Sequence, residues 1–523
     1  MGRSIVWQLY IDWDFDGTYT DESARLVSAS GSMQFYAPGE SVTAGRGIVD
    51  QCTLLLNNAD GRYSPLNSSG TLFSTIQSGK AYHAPMYLRV SVDGGSNYYR
   101  AFTGVIKTPQ ETGPTYRETS TVSIDCRSRD EAILQKRVST SAATFNSIVA
   151  DGWTEEQIIT QWLKDAGLTD GTHFVSQAYA TAHPTYTATL DPGLFVLPAA
   201  WLDDESAIED CWDIAAACGG RFYFHPDDVT VAPASAKGRF VYENATHWLL
   251  SPHTTSQETF TAASYEQLTP AYIDRELYES VTVEYSARTI LDTAVLWRPE
   301  ETPVIPANSA RTFVAKLRQP AYTIQSIDLI AITSGGDDIS SDISTGRTDY
   351  AQRVELTLTN ANTTKAAQVA LLQLQGKAVD GRPAGEEIAE SNNTFWNNRS
   401  GRNRSIRGNP YIQTRAQALY LSKFLKDRQE LPRLFYRLAG CPGVASRRLG
   451  DRVTINDSSV MSSSRDAFLI GIRWRLSDKG FEQDLDAVDA ENMYPYQSSS
   501  PSYFVTGTNK LGAADAARGR VFY

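Results

Sequence analysis

Apolar and polar residues alternate along the first 140 residues, as in Leu88-Arg89-Val90-Ser91-Val92, Phe102 to Ile106 and Val122-Ser123-Ile124-Asp125-Cys126. A period of two predicts half-buried strands. Asp16-Gly17, Asp60-Gly61 and Asp93-Gly94-Gly95 fall between the runs, and Asp-Gly supplies the positive φ that tight hairpins need. Residues 1–140 therefore predict an all-β domain.

The period changes over 141–260. Ile158, Ile159, Trp162, Leu163 and Ala166 lie at helical spacing before Gly167, and Ala207, Ile208, Cys211, Trp212 and Ala215 repeat the pattern before Gly219-Gly220. Short strands are predicted at Arg221 to Phe224 and Val229 to Val231, giving a small α+β domain. Alternation returns at Val281 to Tyr285 and Val354 to Thr359, with the Pro-rich piece Arg298 to Pro306 between them as an edge or connection. Residues 275–382 predict an immunoglobulin-like β-sandwich, in which Val369 to Leu374 is read as a strand.

Over 383–492 an Asn-rich stretch precedes the clearest helix, 414–429, capped by Thr414 with Ala418, Leu421 and Leu425 on one face. Strands resume at Asp451 to Ile455 and Ala467 to Leu476. In the latter, Phe468, Ile470, Ile472, Trp474 and Leu476 form one apolar face, and the other carries Arg473 and Arg475. A faint echo links Ala101-Phe102-Thr103-Gly104-Val105-Ile106 to Ala467-Phe468-Leu469-Ile470-Gly471-Ile472. Residues 493–523 are small, polar and aromatic, and are predicted to be an extended arm that a partner orders.

Composition narrows the function. The chain has 523 residues, too many for one compact domain, and 41% apolar with 21% charged residues is an ordinary globular mixture. No run reaches the roughly 18 to 20 apolar residues that span a bilayer, and the N-terminus lacks a hydrophobic signal stretch, so stable membrane insertion and signal-directed export are not expected. Cys52, Cys126, Cys211, Cys218 and Cys441 are odd in number with no C-x-x-C pair, and read as small core residues. Net charge is −12, yet Trp396 to Ile455 holds thirteen basic and three acidic residues, including Arg399, Arg402, Arg404 and Arg407. Charge is thus segregated along the chain.

No G-x-S-x-G, H-E-x-x-H, P-loop or G-x-G-x-x-G motif is present. Of six histidines only His247 and His253 lie within ten residues, at a spacing that matches neither a helix nor a strand face. The acidic run Asp12-Trp13-Asp14-Phe15-Asp16-Gly17 approaches a calcium loop, but its twelfth position is Ser23, with Glu22 one place early. The alternative is a strand ending in an Asp-Gly turn. Two carboxylates suffice for a glycosidase, but nothing singles out a pair. No catalytic, cofactor-binding or metal residue is therefore assigned, and the chain is read as not an enzyme.

Several segments together resemble the tail-tip, or baseplate hub, proteins of tailed bacteriophages. They are Ile11 to Gly17, Gly45-Arg46-Gly47, Cys52 to Pro65, Leu356 to Asn360, Leu374 to Val379, the helix with Ala416 and Ala418, and Leu449 to Ile455. The stretch Asn393 to Gly401 departs from the family pattern. The resemblance implies a mainly β, multidomain virion protein at the tail tip, made in the host cytoplasm. It implies a homotrimer in which the first and last β domains are tube-like barrels, six in all, meeting a sixfold tube. The implied partners are a distal tail or tail-tube ring, a tape-measure protein and a central or side tail fibre, with DNA only in transit. The basic 396–455 segment, with Arg473 and Arg475, would face either that channel or acids of a neighbour. The alternative functions are a carbohydrate-binding tail adhesin, carried by the sandwich and the aromatic residues, and a cell-wall-degrading tail enzyme.

Overall fold

The computed structural model describes residues 4–36, 47–107, 109–112, 120–228, 237–272 and 276–490. The first β module comprises β1 (Val6–Ile11), β2 (Thr20–Asp21), β3 (Leu26–Gln34), β4 (Gln51–Asn57), β5 (Pro85–Ser91), β6 (Tyr99–Ile106), β7 (Gln110–Thr112) and β8 (Thr121–Ser128). Their spatial order is β3-β4-β8-β6-β5-β1-β2, with β7 also on β8. Strict alternation in β4 turns Cys52, Leu54 and Leu56 into the core while Gln51, Thr53 and Asn57 stay exposed.

Between the modules lies the α+β segment. Helix α1 (Glu155–Asp165) starts at a capping box: Thr154 Oγ1 accepts the Gln157 amide while Gln157 Oε1 accepts the Thr154 amide. It buries Ile158, Ile159, Trp162 and Leu163. Helix α2 (Ala207–Ala217) is capped by Ser206 and followed by the hairpin β9 (Arg221–His225) and β10 (Arg239–Glu243).

The last β module draws on two distant stretches. Strands β11 (Glu258–Thr261) and β12 (Gln267–Tyr272) precede β13 (Ser280–Tyr285) and the sandwich. The sandwich packs the sheet of β14 (Ser309–Lys316), β16 (Ile343–Asp349) and β17 (Arg353–Asn360) against that of β15 (Ala321–Ile332) and β18 (Ala367–Asp380). Its core includes Ile305, Leu356, Leu358, Val369 and Leu372. Strands β19 (Gly385–Glu390) and β20 (Asn403–Ile406) flank β13, and helix α3 (Arg415–Gln429) follows. Only then do β21 (Leu434–Pro442), β22 (Arg452–Asn456), β23 (Arg465–Ser477) and β24 (Gly480–Asp489) complete the module, in the order β12-β21-β24-β23-β22-β11.

The two modules share one strand order. Along the chain β1, β3, β4, β5, β6 and β8 correspond one for one to β11, β12, β21, β22, β23 and β24, and the strand neighbours match at every step. The echoed Ala-Phe segments fall on the corresponding strands β6 and β23.

Three expectations change. Neither module is a closed barrel among the described residues. Both belong to one fourteen-stranded sheet whose path ends at β2 and β12, because β3 spends its outer edge on β23 of the other module. Helix 414–429, expected within the last β domain, sends Ala418, Leu421 and Leu425 into the α+β core together with Val281 and Val283 of β13. The last β domain is also not confined to 383–492, since β11 and β12 lie before the sandwich. The predicted arm 493–523 and the strand at Val229 to Val231 lie outside the described residues.

Candidate functional site

The feature with the greatest structural consequence is the seam where β3 meets β23. They pair antiparallel with Ala29 opposite Leu476, Ser30 opposite Arg475, Gly31 opposite Trp474, Ser32 opposite Arg473 and Met33 opposite Ile472. On the core face Trp474 is 2% exposed and packs over Gly31. A Cβ at Gly31 would stand 2.5 Å from the Trp474 ring and 2.9 Å from the Gln51 carbonyl. Only glycine admits this indole across the seam.

The opposite face carries polar rows that cross the seam unbroken. One runs Glu482, Arg475, Ser30, Thr53, Asp125, and the next Asp484, Arg473, Ser32, Gln51, Arg127. Polar groups pair within a row or diagonally with the row alongside. Arg473 makes a two-pronged bond to Asp486 at 2.7 and 3.0 Å, and Thr53 Oγ1 donates to Asp125 at 3.1 Å. The two arginines flagged by alternation thus meet acids on the adjacent strand of their own chain. Arg475 lies 3.6 Å from Asp484.

The basic segment behaves the same way. Arg447 grips Glu258 with two bonds of 2.7 Å, Arg452 meets Asp466 at 2.6 Å, Arg448 meets Asp227 at 2.9 Å, and Arg407 meets Glu386 at 3.0 Å. Arg404 donates to Gln429 and Arg402 lies over the Tyr278 ring. Arg399 donates to the Phe395 carbonyl. These side chains spread over several elements.

At the acidic run the carboxylates turn to the backbone and do not converge. Asp12 accepts the Asp16 and Gly17 amides at 3.2 and 3.0 Å, Asp16 accepts Thr18, and Asp14 accepts the Thr75 hydroxyl. Phe15 and Gly17 take positive φ, as the turn requires. Among the described residues no group of His, Cys, Asp or Glu is arranged to hold a metal ion. The acid the spacing passed over, Glu22, is buried like Asp12, and it accepts Trp13 Nε1, Arg62 Nε and Nη2, and the Tyr63 hydroxyl at 2.6 Å.

A cavity of about 490 Å³ opens beside α2, lined by Arg137, Trp201, Glu205, Glu209, Asp210 and Tyr411. Burial raises the Asp210 carboxyl to about 7, although the Tyr411 hydroxyl at 2.6 Å and Trp162 Nε1 at 3.2 Å favour its charged form. The five cysteines are free and buried. His247 and His253, unrelated by any strand or helix period, approach Nε2 to Nε2 at 3.1 Å.

No protein-family model and no curated protein matches the sequence. Among solved structures, the tail protein from Neisseria meningitidis aligns over 94% of this chain and 98% of its own, with a TM-score of 0.44 and 9% identity. The 43 kDa tail protein of prophage MuSo2 from Shewanella oneidensis aligns over 94% and 99%, with a TM-score of 0.44 and 9% identity. The prophage tail protein gp18 from Listeria monocytogenes aligns over 92% and 94%, with a TM-score of 0.40 and 9% identity.

Proposed function

We propose that this chain is a structural hub of a phage tail tip, a homotrimer that joins the tail tube to host-contacting fibres and encloses the passage for DNA until delivery. The observation that carries the reading is the pair of β modules, alike in the order of six strands and fused edge to edge through β3 and β23. Such a module is a repeatable sheet segment. The same junction can recur between copies, and a head-to-tail contact that closes makes a ring.

The correspondence says which edges would form it. Strand β12 is the counterpart of β3 and, among the described residues, pairs only with β21. Strands β6 and β7 together span β8 as β23 spans β24, and among the described residues β7 pairs only with β8. Aligning the modules on the rows Ser30, Thr53, Asp125 and Thr269, Arg437, Asp486 puts Ala271 in the place of Ser32 and Gln110 in that of Arg473. In this reading β12 of one copy pairs with β7 of the next. The polar rows, with their arginines already matched to acids, would line the passage with little net attraction for phosphate. The tail-tube ring, tape-measure protein and fibre are the partners of the assembled ring, and no bond-making chemistry is assigned.

Native mass and cross-linking test it together. The double variant Gln110→Cys, Ala271→Cys should run as three copies of the 57.6 kDa chain and become covalently linked between chains on mild oxidation. Three copies without cross-links would overturn the edge assignment alone. A single copy at every concentration would overturn the hub.

A further inference from the structure

The junction where the α+β segment, the first module and the last module meet is built on one aromatic wedge. Trp248 stacks on Phe468 of β23 with ring centres 4.4 Å apart, lies 5.8 Å from Phe35 at the end of β3, and is covered by the Arg221 guanidinium of β9 at 3.7 Å. Two histidines flank it. His247 Nδ1 is 2.7 Å from Asp191 Oδ2, its Nε2 is 3.1 Å from His253 Nε2, and His253 Nδ1 is 2.9 Å from the Gly450 carbonyl oxygen.

This chain of contacts puts three protons on the two rings. A carbonyl oxygen only accepts, so His253 donates from Nδ1 to Gly450, His247 donates from Nδ1 to the Asp191 carboxylate, and one further proton is shared between the two Nε2 atoms. That proton and the single positive charge belong to His247, whose ring faces the Asp191 and Glu243 carboxylates. We infer that His247 and His253 form an acid-sensitive latch, closed while one ring is charged and the other neutral, that holds the α+β segment against the turn leading into β22.

The surroundings support that charge state. Glu243 of β10 lies 3.6 Å from His247 Nε2 and is itself held by the Tyr223 hydroxyl and Trp248 Nε1, with Arg221 at 3.9 Å. On the other side Arg452 of β22 donates to the His253 and Thr254 carbonyls and is matched by Asp466 of β23, while Asp451 accepts the Arg448 amide. Burial opposes charge on His247, but Glu243 and Asp191 outweigh it and raise the ring to about 9. Burial and the neighbouring His247 charge lower His253.

A second proton on the pair would aim two N–H groups at each other across 3.1 Å between two cations. The latch then opens at the Nε2 contact. By sign, the raised His247 stabilises the closed form fully below its ordinary value of 6.5 and loses that contribution as pH rises toward 9. The lowered His253 does the reverse, costing stability as pH falls below 6.5.

Hydrogen exchange on the full chain, corrected for intrinsic rates, tests this between about pH 7.5 and about pH 5. Acidification should speed exchange about tenfold in residues 246–254 and 447–453 and leave β14 and β17 of the sandwich unchanged. His253→Gln, whose amide can accept from His247 and donate to Gly450, should abolish the acid step. An acid step of equal size in that variant, or acceleration spread evenly over the chain, would overturn the latch. Should the variant not fold, histidine ring carbon shifts of the native protein decide: a ring titrating near 9 beside one below 6.5 supports it, and two rings titrating together refute it.

Discussion

The first and last β modules have the same strand order, yet they are held together differently. In the first, β6 breaks at Lys107 and resumes as β7, and β1 runs antiparallel to β5. In the last, β23 is continuous for thirteen residues, and β11 runs parallel to β22. The continuous strand makes the seam possible, because its C-terminal half extends past β22 and leaves an edge for β3. Their polar anchors differ as well. Glu22 in the first module is buried under four donors, whereas Glu258 in the last is 35% exposed and held by one arginine. Strand order therefore persists where individual contacts do not, since it depends on which edges are free and not on which side chains fill the core.

Breaking the seam should have the largest effect. Trp474→Ala empties the space over Gly31 and should cost about 3–5 kcal/mol, read as a lower denaturant midpoint. Gly31→Val should reproduce part of that loss from the opposite strand through overpacking, about 1–3 kcal/mol.

The pH dependence sharpens the contrast, because the first module holds a buried acid pair. Burial raises Asp50 well above its ordinary range and Asp130 to about 7, with Ser128 donating to Asp130 and accepting the Asp50 amide. A carboxyl raised in the folded state contributes stability fully below its ordinary 3.8 and loses it as pH rises toward 7. Thermal unfolding of Asp130→Asn should be flatter between these limits than that of the native chain.

The two anchors give the smaller effects. Glu22→Gln should cost about 1.5–3 kcal/mol, the range for buried hydrogen bonds to a charged group, and Glu258→Gln about 0.5–1.5 kcal/mol, the ordinary range for a hydrogen bond, because the buried Arg447 keeps the Pro442 carbonyl and Gln483 as acceptors. Equal losses in chemical denaturation would erase the distinction drawn between the modules.

Much of the fold is legible in local sequence. Alternation located β5, β6, β8 and β23, helical spacing located α1, α2 and α3, and Thr414 caps α3 by accepting the Gln417 amide as read. Strand was the correct reading for Val369 to Leu374, which lies within β18. The site was far less legible. Glu22 was passed over because its donors Arg62 and Tyr63 lie some forty residues on. The histidine pair carried no periodic signal because a short 3-10 helix and a loop bring the rings together. Arg447 and its partner Glu258 are separated by 189 residues with the whole sandwich between them, so charge segregated along the chain recombines in space.

The sequence by itself determined the kind of each element and the face it buries, because side-chain alternation and helical spacing are set within a few residues. Only the tertiary structure decided that β3 pairs with β23, that β11 and β12 begin a module completed only after the sandwich, and that α3 serves the α+β core. Those choices rest on unpaired strand edges and unburied faces seeking partners, and every such edge presents the same backbone donors and acceptors whatever its sequence.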